Sequence, residues 1–207
     1  MTGTPDPVTR CRWPGDDPLY VGYHDHEWGR PTTDRHLLFE KICLEGFQSG
    51  LSWITILRKR PAFREAFAGF DVERVARFGA SDVERLLGDA GIVRHRGKIE
   101  ATINNARRAC ELEAAEGSLV DWIWAWAVEE PERDGGPDLP VVPSATARST
   151  ALAKELKARG WRFFGPTTAY AFMQSEGLTN DHDRDCVAFD RCEIERRTVL
   201  AGRTLRP

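Results

Sequence analysis
In TDRHLLFEKICLEGFQSG, residues 33–50, Leu38, Ile42 and Glu45 recur at i, i+4 and i+7, the spacing of one helix face, with Thr33 or Asp34 as its cap. The same period runs through most of the chain. PAFREAF and DVERVARF read as short helices, with Pro61 suited to a first helical turn. SDVERLLGDAG opens on a capping box, Ser81 with Glu84, and stops at Gly91. GKIEATINNARRACELEAAEG predicts a longer helix ending near Gly117, and SLVDWIWAW a hydrophobic one with Trp122 and Trp126 on a shared face. Two more helices follow, around STALAKELKARG and PTTAYAFMQSEG, the second started by Pro166 and ended by Gly177. EEPERDGGPDLPVVPSA is a Pro/Gly/acid loop and the one plausible internal break. No alternating run argues for a strand. The pattern predicts an all-α chain of many short helices without repeats.

Composition narrows this little. The 207 residues, 41% hydrophobic, suffice for one substantial core. A formal net charge of −3 does not mark a nucleic-acid binder, so such a role must rest on a local patch. No apolar run approaches the ~20 residues of a membrane span. MTGTPDPVTR is not read as a signal peptide, and the expectation is a cytoplasmic protein. Five cysteines in a reducing compartment point towards metal ligands or buried thiols.

The tail sequence DHDRDC places His182 four positions before Cys186. Cys11 and His24 near the front complete a set of two thiols and two imidazoles, which suits tetrahedral zinc. Four protein ligands leave no open position, so such an ion is structural. Five Cys and five His also yield such pairs by chance, and spacing alone leaves both readings standing. His26, between two acids, reads as a surface histidine.

Residues Ile92 to Cys110 carry Arg94, Arg96, Lys98, Arg107 and Arg108 against Glu100, a local net +4. Residues 111–139 hold nine acids and one arginine. A helix–hairpin–helix with Gly91 and Gly97 in its turn can grip phosphate through backbone amides and a helix N-terminus. A solvated basic face is the plainer alternative. Glu45 lies on an apolar stripe, where a carboxylate is costly unless partnered. Trp13, Tyr20, Tyr23, Trp28 and Trp53 are within reach in sequence. Either these aromatics fill a core and Glu45 bonds an amide or arginine, or flat faces stack a planar ligand whose edge the acid reads.

Taken together, CxW, DPLYxxYHDxEWGxP, ICLEGFQSGLSWITILRKR, DAGIVRHRGKI, FFGPTTAYAFMQSEGLTNDH and the ordered set Cys11, His24, His182, Cys186 resemble the 3-methyladenine DNA glycosylase I family of the helix–hairpin–helix superfamily. The resemblance runs from about Cys11 to Cys186. It implies a single glycosylase domain over 1–207, with the helix–hairpin–helix at about 82–109, the acidic loop at 129–144, and both ends tied by one structural zinc on Cys11, His24, His182 and Cys186. It implies Glu45 as the catalytic-site carboxylate, orienting water or recognising the base, and Trp13, Tyr20, Tyr23, Trp28, Trp53 and Tyr170 as the base-binding lining. It further implies DNA contacts from Leu51, which plugs the gap left by a flipped nucleotide, and from Gly91, Arg94, Arg96, Gly97 and Lys98. The implied activity is monofunctional hydrolysis of N3-methylated adenine from double-stranded DNA in base excision repair, releasing free 3-methyladenine. The chain is expected to be monomeric, with no membrane partner. Residues 1–10 and 190–207, including Cys192, fall outside the resemblance and are expected to be disordered. Glu100 to Cys110 offers neither aspartate nor lysine, so no Schiff-base nucleophile and no strand cleavage are expected. The rival readings are a DNA-damage-binding module that does not cut and a zinc-stapled helical domain that binds protein. A zinc hydrolase is disfavoured, because HExxH is missing.

Overall fold
The computed structural model describes residues 8–131 and 142–206. Every regular element among them is helical: α1 (Pro18–His26), α2 (Arg35–Gln48), α3 (Trp53–Ala66), a 3-10 turn (Ala68–Phe70), α4 (Val72–Ala76), α5 (Ala80–Gly88), α6 (Arg96–Glu116), α7 (Leu119–Trp124), α8 (Ala147–Ala158), α9 (Pro166–Ser175) and α10 (Phe189–Leu200). No described helix is long and apolar enough to cross a membrane. The tip of the expected acidic loop, 132–141, and residues 1–7 lie outside the described residues.

α2 is the axis of the fold. Asp34 starts it, its carboxylate accepting the amides of His36 and Leu37 at 2.8 and 2.9 Å. Residues 38–47 are all buried, because α3, α6, α7 and α9 pack around the helix. Three charges are therefore carried inside. Glu40 receives the Arg64 guanidinium at 2.8 Å, and Lys41 reaches Tyr23 and Glu176. Glu45 has no such partner.

Several local expectations shift. Pro61 does not start a helix; it lies within α3. Proline removes one amide donor, but Ile56 and Leu57 before it and Phe63 and Ala66 after it are all buried, so packing on both sides holds the helix through. α5 begins on Gly79, whose amide donates to Asp82 at 3.0 Å, while Glu84 is left to pair with Arg96 at 2.8 Å. That helix ends at Gly88, short of Gly91.

The tail is ordered, contrary to expectation. α10 buries Cys192 and Arg196, the latter donating to the Glu129 carbonyl at 3.2 Å. Arg30 clasps Glu195 through two bonds of 2.9 and 2.7 Å. Further on, the Arg206 guanidinium lies 4.9 and 4.8 Å from the rings of Trp122 and Trp126. The hydrophobic content of this segment is modest, which hid it in the sequence; charged groups fasten it instead.

Lys98, at the start of α6, turns inward. Its ammonium donates to the carbonyls of Phe47 and Ser49 at 2.9 and 2.5 Å, the open C-terminal end of α2. Lys98→Met should therefore lower stability by about 1–3 kcal/mol, the cost of stranding buried polar groups. Urea denaturation of the variant checks this.

Candidate functional site
Cys11, His24, His182 and Cys186 converge into one buried cluster whose ligand atoms all lie within 4.8 Å of one another. Cys11 Sγ and Cys186 Sγ are each 3.5 Å from His182 Nδ1, and Cys186 Sγ is 3.5 Å from His24 Nε2. The outer ring nitrogens are engaged elsewhere. His24 Nδ1 lies 2.8 Å from Asp25, itself held by two-pronged bonds from Arg10, and His182 Nε2 lies 3.1 Å from the Trp28 carbonyl. Donating outward, each imidazole presents its lone pair to the cluster. Burial pushes the Cys11 thiol up to about 12, so a cation is needed to make it a thiolate. Gly29 packs against this centre. Its φ is +78°, and a Cβ there would sit 2.8 Å from His182 Nε2.

Beside the cluster opens a cavity of about 1190 Å³ whose wall includes Trp13, Tyr20, Tyr23, Trp28, Glu45 and Trp53. Trp13 is the hub. Its ring meets Tyr20 at 4.9 Å, Trp28 at 5.1 Å, His24 at 5.4 Å and Tyr23 at 6.2 Å, all edge to face, and so joins cavity to cluster. Tyr23 in turn leans on Trp53 at 5.6 Å. α1 brings Tyr20, Tyr23 and His24 to this place from one short helix, started by Asp17, whose carboxylate accepts from Leu19 and Tyr20.

Glu45 faces the cavity while only 5% exposed, and no donor among the described residues bonds its carboxylate. Burial raises its carboxyl from 4.5 to about 7; Lys41 pulls it down and Glu176 pushes it up. The lining also has polar members, Thr167, Gln174 and Asp181. Asp181 is fixed by the Tyr170 hydroxyl at 2.6 Å and the Gln174 amide at 2.9 Å. Tyr170, which the resemblance implies for the base-binding lining, bonds the wall residue Asp181 through its hydroxyl.

Leu51 stands 39% exposed on the turn between α2 and α3, next to the wall residues Gln48 and Trp53. That turn is braced: the Leu51 amide donates to the Gln48 carbonyl and Gln48 Nε2 to the Leu51 carbonyl, at 2.6 and 2.7 Å. The basic stretch is less outward than its count suggested. Lys98 is buried, Arg107 donates to the carbonyls of Ala76 and Phe78, Arg108 pairs with Glu111, and Arg96 pairs with Glu84. Arg94 is exposed, with no ion pair among the described residues. The Gly91 amide is taken by Asp89 at 2.7 Å. The amides of Arg96 and Gly97 stay at the open end of α6.

Lys41, Glu176, Asp181, Asp25 and Arg10 escaped the sequence reading. A signal existed for two: Lys41 lies one helical turn before Glu45, and Asp25 adjoins His24.

The state of Glu45 has a measurable consequence for stability. In the unfolded chain it titrates near 4.5 and in the folded one near 7, so folding favours its protonated form. That contribution is complete below about pH 4.5 and is lost as pH rises through 7. Glu45→Gln should match the wild type at pH 4 and exceed it at pH 8 by about 3 kcal/mol at most. Chemical denaturation across that range measures the difference.

The same chain can be set against known proteins. A family model described as methyladenine glycosylase matches residues 13–189. DNA-3-methyladenine glycosylase 1 of Escherichia coli (strain K12) is 49% identical over 182 residues, covering 88% of this chain and 97% of the relative. A crystal structure of 3-methyladenine DNA glycosylase I superimposes with a TM-score of 0.81 at 50% identity, over 86% of this chain and 98% of that one. The Staphylococcus aureus 3-methyladenine DNA glycosylase I, solved to explain 3-methyladenine recognition, gives 0.77 at 38% identity, over 84% and 93%. With that match running across most of its length, the chain belongs to the methyladenine glycosylase family.

Proposed function
We propose that this chain is a monofunctional DNA glycosylase that flips N3-methylated adenine out of double-stranded DNA and hydrolyses its glycosidic bond in base excision repair. The observation that carries the reading is Glu45: a buried carboxylate facing an aromatic cavity, with no donor of its own. Such a group is unfavourable in the empty site and is relieved by a ligand that brings positive charge or an N–H donor. Adenine methylated at N3 within DNA is a cation; unmodified adenine is not. Indole and phenol faces attract a cation by about 0.5–2 kcal/mol per contact. Tyr20, Tyr23, Trp13, Trp28 and Trp53 supply the faces, and Glu45 reads the edge.

Methylation also labilises the bond. When the N9–C1′ bond breaks, its electron pair neutralises the purine ring, and water adds to C1′ and releases a proton. The protein therefore has to extract and select the base more than to force the chemistry. Unstacking a damaged base costs a few kcal/mol. Leu51, apolar and exposed beside the cavity, fills the vacated space in the duplex. The open end of α6, with Arg94 nearby, takes backbone phosphate without reading sequence.

Glu45→Gln should keep general DNA affinity and lose about 1–3 kcal/mol in binding free 3-methyladenine, the worth of a charge-assisted hydrogen bond. Calorimetry on the folded variant measures the first quantity, and chromatography of bases released from methylated DNA by the wild type tests the reaction itself. Tight binding of methylated DNA with no base released would make the chain a damage-binding module instead.

The Cys/His cluster is assigned to one structural zinc. Tetrahedral zinc with sulfur at about 2.3 Å and nitrogen at about 2.0–2.1 Å requires S···N edges of roughly 3.6 Å, and the 3.5 Å separations agree with that. Two thiolates and two imidazoles fill the coordination sphere, so the ion would hold the front segment to the tail and take no part in hydrolysis. Elemental analysis should find about one zinc per chain. Cys186→Ser should lower the melting temperature far more than it lowers activity per folded molecule; an unchanged melting curve in a metal-free protein would dismiss the assignment.

A further inference from the structure
Beneath the cavity lies a pair of buried charges that the reaction as described does not use. Lys41 Nζ donates to the Tyr23 hydroxyl at 2.8 Å, stands 3.6 Å from Glu176 Oε1 and lies 4.7 Å from the centre of the Trp53 ring. Tyr23 and Trp53 are cavity walls, whereas Lys41 and Glu176 are not. Both charges are almost fully buried, at 8% and 4% exposure. A buried ion pair is weak evidence for stability, because desolvation offsets much of the attraction. Its position invites another explanation. Lys41 precedes Glu45 by one turn of α2, so the ammonium paired with Glu176 stands on the same side of the helix as the cavity-facing carboxylate.

We propose that Lys41 and Glu176 are a charge-setting pair of positioning residues: Lys41 favours the ionised, cation-accepting form of Glu45, and Glu176 opposes it as a like charge. The proposal rests on the reading of Glu45 as the group that meets the base. Arg10, Arg12, Asp181, Asp183, Arg184 and Asp185 line the same cavity as Glu45, with Asp181 held by Tyr170 and Gln174 and Arg10 by Asp25. Glu40 is taken by Arg64 and Glu27 by Arg60, while Tyr20 and Tyr23 face Glu45 from α1 as neutral phenols, both pushed up first by burial. Glu176 is anchored by Thr32, Ser175 and Lys41, and burial raises its carboxyl too. Lys41 and Glu176 are also the two groups that act on Glu45 in opposite directions.

Opposed signs make the test selective. Lys41→Met, Glu176→Gln, the double variant and Lys41→Arg would be made in the full chain. The Glu45 carboxyl would be titrated by carbon-13 NMR in the free protein, its signal assigned by its loss in Glu45→Gln. Binding of free 3-methyladenine would be followed over the same pH range, where the titration of the base is common to every variant and cancels. The wild-type midpoint should lie at about 7. Lys41→Met should raise it by about one pH unit and Glu176→Gln should lower it, with the double variant between them and Lys41→Arg near the wild type. Binding should follow the same order at neutral pH. Midpoints that stay put while melting temperatures fall would reduce the pair to a structural one, and movement in the same direction by both single variants would also overturn the proposal. If Lys41→Met does not fold, the downward movement in Glu176→Gln decides alone. Should the wild type bind no 3-methyladenine, the base-pocket reading falls, and the charge-setting role built on it falls with it; the carboxyl titration still reports whether the two charges are coupled to Glu45.

Discussion
A carboxylate without a donor, on a helix buried all round, is the constraint to which the surrounding structure answers. α2 is enclosed by α3, α6, α7 and α9, so each charge on it must find a partner or remain a standing cost. Glu40 and Lys41 find theirs. Glu45 finds a cavity instead, walled by rings that offer dispersion and quadrupole but no hydrogen bond to it. Asp181 in the same wall is held by Tyr170 and Gln174, while the Glu45 carboxylate and the Trp53 Nε1 have no hydrogen bond among the described residues.

That arrangement depends on closure of the chain. The front segment and the residues around His182 and Cys186 share only a small apolar cluster, Cys11, Cys186, Ala188 and Cys192 with Trp28 and Phe189 against it. The Cys/His cluster brings them together, and Trp13, in contact with both His24 and the cavity aromatics, passes that anchoring on to the pocket. At the other end of α2, Lys98 makes a similar link, tying the start of α6 to the turn that bears Leu51.

Much of this was legible in the residues. Helical periodicity placed α2, α6, α8 and α9 closely, because caps such as Asp34, Gly117 and Pro166 mark their ends. The two Cys/His pairs were visible as pairs, and Glu45 as an acid on an apolar stripe. What stayed hidden depends on tertiary context. The continuity of α3 through Pro61 is a packing effect that local proline rules oppose. The tail is fastened by contacts distant in sequence, Arg196 to the Glu129 carbonyl, Arg30 to Glu195 and Arg206 to the indoles of Trp122 and Trp126, so its composition reads as solvated. The inward turn of Lys98 reverses what a charge count suggests, since a basic residue near a hairpin is equally able to cap a neighbouring helix. The bond from the Tyr170 hydroxyl to Asp181 likewise joins residues whose partnership the sequence does not announce.

The turn after α9 leads to one more consequence. Gly177, at φ +74°, lets the backbone pass so close to Gly29 and Pro31 that a Cβ would lie 2.9 Å from the Gly29 carbonyl oxygen, and it delivers Asp181 and His182 to a wall begun by residues 9–28. The pocket is thus assembled from segments far apart in sequence, and the Cys/His cluster beside it spans 171 positions from Cys11 to His182. Contacts of such long span form late, after the local helices, because loop closure has to come first. On the ribosome, the earlier helices can emerge and begin to pack while the base-binding space does not yet exist. The cavity wall is therefore complete only once the segment around Asp181 has packed against residues 9–28.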